Sequence, residues 1–182
     1  MVGSECNVDI SSFLNLLESR RSVRLFSDEP VSGECLDYIL KCAKTAPSAG
    51  NRESWDVIVV SDDEVRFDLS RAALDQEHIM NAPLILVVCA NYVRSMSSYG
   101  ERGILYALED SVIACTYMML AAQASGLNTC WTGAFEDEDV REILNLPSHV
   151  RPVSLLAVGK GLEDPDPSYR MPLEEHVHHE YW

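Results

Sequence analysis

The segment that most constrains this chain is the long apolar stretch from Leu105 to Ser125, which predicts one helix that ends at Gly126. Apolar residues cover this helix nearly all round, as Cys115 and Met118 illustrate. Such a helix needs packing partners on more than one side. Because 182 residues make one domain of ordinary size, a second subunit is a candidate for one of those partners.

The charge of the chain narrows its possible partners. Its 29 acidic and 14 basic side chains give a formal net charge of −15, which repels phosphate backbones and anionic membrane surfaces. We therefore expect no nucleic-acid partner and no membrane partner. Against this acidic background, the local cluster of Arg20, Arg21 and Arg24 is informative.

The opening residues and the apolar runs predict a cytoplasmic protein. The chain does not open with a basic stretch followed by an apolar stretch, so no secretory signal is expected. The longest apolar run, from Val112 to Ala122, is short for a bilayer span and is flanked by Glu109, Asp110 and Gln123.

No metal site is expected either. The tail histidines His176, His178 and His179 lack further ligands at matching spacing and are interpreted as surface residues. The cysteines form no C-x-x-C pair and have no histidine at zinc-ligand spacing. They are interpreted as small buried hydrophobic residues of a reduced protein, and they are Cys6, Cys35, Cys42, Cys89, Cys115 and Cys130.

Helices and strands alternate along a single domain, residues 1–182. Ser11 and Ser12 are predicted to cap the first helix, and Ser32 the second. Beside the long apolar helix, helices are predicted over residues 11–20, 33–46, 63–73 and 137–144, and strands buried on both faces over 55–60, 84–90 and 153–158. The tail, from about residue 163 to 182, ends in two aromatic residues, so we expect it to pack on a partner subunit.

The first segment with a chemical pattern is Arg20-Arg-Ser-Val-Arg24, where the chain leaves the first helix. Arginine offers forked donors to phosphate oxygens and serine adds one more, so this cluster is suited to hold a phosphate. The alternative is a solvated basic patch that caps the helix C-terminus through the helix dipole.

Two further segments place small residues beside a strand. The small residues of Ala46-Pro-Ser-Ala-Gly-Asn51 let a flat ligand approach the backbone, and the alternative is an ordinary helix-to-strand loop. In Gly126-Leu-Asn-Thr-Cys-Trp-Thr-Gly-Ala-Phe135, a glycine can expose backbone N–H groups to a ligand atom that gains electron density on reduction. The alternative there is a plain turn.

Together these segments resemble the nitroreductase family of flavoproteins, in which R-R-S-x-R, P-S-x-x-N-x-x-x-W and C-W-x-G-x-F segments follow in this order. The residues from Arg170 to Trp182 resemble that family's ending, so the likeness covers nearly the whole chain. The resemblance implies an α+β fold with a central mixed or antiparallel sheet flanked by helices. It also implies an intertwined homodimer with FMN at the subunit interface.

The resemblance implies a phosphate-binding group and a second group that reaches the other subunit. Arg20, Ser22 and Arg170 are expected to bind the FMN phosphate with Arg21 beside them, and Arg24 is expected near the pyrimidine edge of the flavin, where a cation is favourable. The residues expected to contact the flavin bound mainly by the other subunit are Pro47, Ser48, Ala49 and Asn51.

A third group is expected to lie along the flavin ring, with a backbone N–H aimed at the N5 atom, and it comprises Thr132, Gly133 and Ala134. No side chain is expected to be catalytic, because N5 itself transfers hydride. The implied activity is ping-pong electron transfer from NAD(P)H to small electron-poor acceptors such as nitroaromatics or quinones. A non-catalytic FMN-binding redox module and another flavin-dependent reaction on the same fold stay open as alternatives.

The chain also departs from the family pattern. Glu53-Ser54 stands where many members have Gln-Pro, and Ser168 stands where a second basic residue often precedes the tail arginine. The absence of the second basic residue at Ser168 implies weaker binding of the phosphate. Substrates are expected to enter beside residues 91–106, where Arg94, Tyr99 and Arg102 are candidate contacts.

Overall fold

The computed structural model describes residues 9–182, which fold around a four-stranded antiparallel sheet in the order β1-β2-β4-β3. The strands are β1 (Trp55–Val60), β2 (Leu84–Asn91), β3 (Asn128–Thr132) and β4 (Val150–Gly159). The helices are α1 (Ile10–Ser19), α2 (Gly33–Ala43), α3 (Asp63–Ala72), α4 (Glu77–Asn81), α5 (Tyr92–Tyr99), α6 (Arg102–Ala124) and α7 (Asp137–Ile143).

The ends of the first two helices follow from local hydrogen bonds. α1 begins one residue before the predicted start, because the Asp9 carboxylate accepts the Ser12 amide at 3.0 Å and so caps the helix. The prediction that Ser11 and Ser12 cap it is wrong, since both hydroxyls donate to Asp9. Ser32 caps α2 as predicted and accepts the Cys35 amide at 3.2 Å.

The strands agree with the predicted segments to within a few residues, but their burial differs. β2 is buried at every position because it lies between β1 and β4, as predicted for a strand covered on both faces. β1 is an edge strand and is only half buried, so the prediction of burial on both faces is wrong for it.

The short helices α4 and α5 are not predicted, because their periodicity spans too few residues to be read from sequence.

Alternate residues of β2 enter two different cores because successive side chains of a strand point to opposite faces. Ile85, Val87 and Cys89 pack with a cluster from α3, α4 and α7 that includes Leu69, Ile79 and Val140. Leu84, Leu86 and Val88 pack on the other face with a cluster from α2 and α6 that includes Ile39, Ala43 and Met118. The sheet is therefore covered by helices on both faces.

The helix α6 is the predicted long apolar helix. It begins three residues before the predicted start and contacts all four strands. By length and composition alone its 23 residues are enough to cross a membrane, a test that the core helix of a soluble protein also passes. Met118, Ala121 and Ala122 are buried against α2 and the sheet, which makes α6 the core helix of this domain.

The cysteines of the described residues are free thiols, and the prediction that they are buried is wrong for Cys35 and Cys42, which are only partly buried. Cys89, Cys115 and Cys130 are buried, and burial raises the pKa of Cys89 and of Cys115 to about 12. Cys6 lies outside the described residues. No group of three or more possible metal ligands occurs among residues 9–182.

The segment after α1 runs alongside the sheet and fixes the arginine cluster. Ser22 pairs in parallel with Thr129 of β3, and the Val23 amide donates to the Thr129 carbonyl at 3.1 Å. Val23 is buried, so its neighbours Ser22 and Arg24 face the opposite side. This single bridge adds no strand to the sheet, whose strands all pair antiparallel, so of the two sheet types expected the antiparallel one is found.

The burial of the sheet residues predicts that two side-chain truncations lower the free energy of unfolding by different amounts. Leu86→Ala removes a fully buried side chain of β2 and is expected to lower the free energy of unfolding by about 3 kcal/mol. Val59→Ala, at an exposed position of the edge strand, is the matched control and is expected to cost less than about 1 kcal/mol. Urea unfolding at one fixed protein concentration measures both, and equal costs would contradict the assigned burial.

Candidate functional site

A cavity of about 440 Å³ brings the N-terminal arginine cluster and the tail together. Arg20, Arg21 and Ser22 line one side, and Ser168 and Arg170 line the other. These groups are separated by about 150 residues in the sequence, so their convergence is a property of the fold. The cavity offers three guanidinium groups and two hydroxyls, which is a donor set suited to a phosphate.

Arg21 combines the two roles that the sequence left open. Its Nη1 donates to the carbonyls of Glu18 and Arg20, the second at 3.0 Å, and so caps the end of α1. Its Nε is buried and has no hydrogen-bond partner within the described residues. Arg21 thus caps the helix and also lines the cavity, where its positive charge suits an anionic ligand.

Arg24 lies on the β3 side of the cluster. Its guanidinium lowers the pKa of the buried His78, and it also opposes the rise that burial gives to the pKa of Cys130. The backbone amide of Arg24 donates to Glu163 at 2.6 Å, which ties the arginine segment to the start of the tail. The positive charge therefore stands beside the end of β3.

The predicted ring-contacting residues lie where β3 ends. Thr132 is buried, whereas Gly133 and Ala134 are exposed, so their backbone is accessible to a ligand. Gln76 stabilises this turn, because its Nε2 donates to the Ala134 carbonyl at 3.0 Å. That a backbone N–H of this turn reaches the flavin N5 stays a prediction.

His78 is a residue that sequence reasoning missed. Its side chain lies within 2.7 Å of the Thr132 hydroxyl, and the residue is 6% exposed. Burial lowers the pKa of His78, and the nearby Arg24 lowers it further. The lowered pKa favours the neutral form of this histidine, which lies beside Thr132 at the start of the turn. A lone histidine after Gln76-Glu77 gives no sequence signal for this contact.

The loop with Pro47, Ser48, Ala49 and Asn51 lies at the other end of α6 from the arginine cluster. The Ala49 amide donates to Asp110 at 2.8 Å, whereas Gln123 of α6 donates to Ser19 at the end of α1 at 3.1 Å. Asp110 and Gln123 are 13 residues apart, which along a helix corresponds to about 20 Å. One chain thus does not bring this loop to its own phosphate cavity.

The guanidinium of Arg94 forms contacts within its own chain. Its guanidinium donates to the carbonyls of Glu53 and Trp55, each at 2.9 Å, and pairs with Asp56 at 2.6 Å. We therefore drop the expectation that Arg94 contacts substrate. The Tyr99 hydroxyl stands directly over Gly50, and Arg102 lies 5.5 Å from the ring of Tyr106.

An antiparallel sheet lies between helical layers, and a cavity suited to a phosphate lies at its β3 edge. This arrangement defines a flavoprotein-like α+β domain, and comparisons with known proteins lead to the same class. The nitroreductase family model matches residues 17–77 and 67–160. NADH dehydrogenase of Thermus thermophilus is 32% identical over 186 residues, covering 87% of this chain and 91% of that protein. FMN reductase (NAD(P)H) of Bacillus subtilis is 31% identical, covering 94% of this chain and 74% of that protein.

A solved structure leads to the same family. NfrA2 of B. megaterium superposes with a TM-score of 0.88 at 32% identity, covering 93% of this chain and 74% of that one. This chain belongs to the nitroreductase family. The predictions of the family and of its α+β fold are confirmed.

The buried neutral His78 predicts that this domain loses stability in acid. Its pKa is lower in the folded protein than in the unfolded chain, whose histidine titrates near 6.5. Below that pH the unfolded state binds a proton that the folded state does not, so the free energy of unfolding falls as pH decreases. Above pH ~7 this contribution is constant.

The measurement is the melting temperature of the wild type and of His78→Gln from pH 8 to pH 5. Glutamine keeps a polar group that can reach Thr132 but does not titrate. We expect the two curves to run parallel above pH ~7 and the wild type to fall more steeply below pH ~6.5. Parallel curves over the whole range would show that the pKa of His78 does not differ between the folded protein and the unfolded chain.

Proposed function

We propose that this chain is an FMN-dependent oxidoreductase that transfers electrons from NAD(P)H to small electron-poor acceptors such as nitroaromatics or quinones. The observation that carries the proposal is the cavity in which Arg20, Arg21 and Ser22 meet Arg170. The forked donors of these arginines suit the oxygens of a phosphate monoester. The FMN reductase relative supports FMN and NAD(P)H as the ligands.

In this proposal the chain holds and tunes the cofactor. When bound, FMN supplies hydride chemistry at its N5 atom, so no protein side chain needs to react. Thr132, Gly133 and Ala134 would lie along the ring, and this exposed turn would offer a backbone N–H to N5. Arg24 places a fixed positive charge near the pyrimidine edge and stabilises the negative charge that reduction brings there.

The proposed assembly is a homodimer of single-domain chains, residues 1–182, with two shared sites. Pro47, Ser48, Ala49 and Asn51 then contact the flavin of the other subunit. This is in keeping with the length of about 20 Å of α6 between Asp110, which holds this loop, and Gln123, which contacts the end of α1. An apolar groove of about 660 Å³ between α1, α2 and α6 supports a partner, and its lining includes Phe13, Leu16, Tyr38, Cys42, Tyr117 and Leu120.

The tail supports the same assembly. Residues 163–182 carry one short turn of helix, Leu173–Glu175, and no residue of this turn is buried. Tyr169, Tyr181 and Trp182 are almost fully exposed on the single chain. Exposed aromatic residues of this size are more stable when they pack on another surface. In the proposed dimer the tail packs on the partner subunit.

We further propose a ping-pong order, in which NAD(P)H binds and leaves before the acceptor binds at the same face of the flavin. We also propose a cytoplasmic location without membrane or nucleic-acid partners. The acidic net charge of −15 supports the absence of polyanionic partners. A non-catalytic FMN-binding redox module and another flavin-dependent reaction on the same fold are the alternative functions.

The phosphate assignment predicts which arginines control FMN affinity. Removing one charge-assisted hydrogen bond costs about 1.5–3 kcal/mol, so Arg20→Ala and Arg170→Ala are each expected to raise the Kd for FMN about 10- to 100-fold. Arg71→Ala, on the exposed surface of α3, is the control and should leave the Kd unchanged. Titration of the apoprotein by flavin fluorescence measures all three, and an unchanged Kd for Arg170→Ala would remove the tail from the site.

The proposed function has a direct test on the purified protein. Without added flavin, we expect a yellow dimer in solution with FMN near one per chain, identified after its release. Stopped-flow mixing with NADH and NADPH should then bleach the flavin absorbance rapidly. A protein that holds FMN and is reduced only sluggishly would favour the redox module, and a colourless protein that takes up no FMN would contradict the proposal.

A further inference from the structure

Asp110 is the one buried carboxylate among residues 9–182, with 2% of its surface exposed. It lies in the interior of α6 and has no Lys or Arg within ion-pair distance among those residues. A buried charge without a cation is costly unless hydrogen bonds compensate it. The fold must therefore gain something specific from this side chain.

The compensation comes from one loop. Oδ1 of Asp110 accepts the Ala49 amide at 2.8 Å, and Oδ2 accepts the Ser54 amide at 3.1 Å. Each carboxylate oxygen thus holds one end of the segment from Ala49 to Ser54, which follows α2 and precedes β1. Hydrogen bonds from backbone amides to a carboxylate are among the strong ones in proteins.

The clamped segment has an unfavourable backbone. Gly50, Asn51 and Glu53 have φ values of +54°, +55° and +48°, which is the left-handed region. Asn tolerates this region moderately and Glu poorly, so each non-glycine residue there costs of order 1–3 kcal/mol. Such residues persist only where their surroundings determine the conformation.

Two further contacts close the same loop. The Ser48 hydroxyl accepts the Glu53 amide at 3.0 Å, and Arg94 binds the Glu53 carbonyl at 2.9 Å. These contacts lie at the exposed end of the loop, whereas Asp110 holds it from the core. The carboxylate of Asp110 therefore connects the loop conformation directly to α6.

We propose that Asp110 is a positioning residue that holds the 48–54 loop in the shape that contacts FMN in the partner subunit's site. The inference rests on the proposed function, because the loop matters for FMN only if each site is shared between two chains. Asp110 itself does not touch the cofactor. It acts across the interface, on the site whose phosphate is bound by the other chain.

The first test compares Asp110→Asn with Asp62→Asn. Asparagine keeps the size of Asp110 but turns one acceptor into a donor, so one of the two loop amides loses its partner. Asp62 is the matched control, since its carboxylate also accepts two backbone amides, at the start of α3 and away from the loop.

We expect Asp110→Asn to raise the Kd for FMN at least about tenfold while the apoprotein keeps its dimer mass, and Asp62→Asn to leave the Kd unchanged. A Kd within about twofold of the wild type for Asp110→Asn would overturn the proposal. If the wild type itself binds no FMN, the proposed function fails instead, so the two failures are distinguishable.

A mixed dimer tests the action across the interface. One subunit carries Asp110→Asn and the other carries Arg20→Ala with Arg170→Ala, under separate purification tags. If Asp110 shapes the partner's site, one site combines an intact loop with intact arginines and binds FMN with wild-type affinity. If Asp110 acts on its own chain's phosphate site, both sites are damaged and no tight FMN site is left, which would overturn the proposal.

Hydrogen exchange on the wild-type apoprotein covers the case in which Asp110→Asn does not fold. The proposal requires that the loop is already formed before FMN binds. The amides of Ala49 and Ser54 are therefore expected to be protected in the apoprotein, to a similar degree as those of α2. Rapid exchange of both amides that slows only after FMN is added would mean that the cofactor, and not Asp110, shapes the loop.

Discussion

The packing of α6 against the sheet is the contact on which the rest of this structure depends. Buried side chains of α6, such as Met118, Ala121 and Ala122, fill one core with residues from β2, β4 and α2. The same helix spans the distance between the two groups of candidate residues. In its first half Asp110 holds the loop before β1, and near its end Gln123 contacts the end of α1. The position of both groups therefore follows from one rigid element of about 20 Å between these contacts.

Backbone strain is concentrated beside two of the three candidate segments. Gly50, Asn51 and Glu53 adopt left-handed conformations in the loop held by Asp110. Leu74 and Asp75 do so immediately before Gln76, whose side chain supports the turn at Ala134. Strain of this kind is stable only where several contacts fix the chain, and it occurs preferentially at ligand-binding sites. Rigid, pre-formed loops also suit a flavin, because a flat ring makes close backbone contacts only if the backbone is already in place.

The sequence predicts most of the helices and strands because their periodicities are local. It also predicts the arginine cluster, since Arg20 to Arg24 are neighbours in the chain. It does not predict the contacts that bring Arg170 to that cluster, or that the Arg21 guanidinium also donates to carbonyls at the end of α1. These contacts depend on the pairing of the arginine segment with β3 and on the course of the tail. His78 and Asp110 were missed for the same reason. The one signal for Asp110 is a charge inside an otherwise apolar helix, and its partners lie 56 and 61 residues away.

The geometry of the single chain argues that the site is divided between two copies. Phosphate donors and the small-residue loop lie at opposite ends of α6, and neither group alone surrounds a ligand as large as a flavin. The proposed homodimer would solve this problem if its two-fold axis joined each loop to the partner's arginines. The apolar groove between α1, α2 and α6 includes Tyr117, Leu120 and Ala124 from the second half of α6 and offers a surface for that contact. On this arrangement, the apolar character of α6 on more than one side has a physical reason: one side packs on the sheet, and another faces the second subunit.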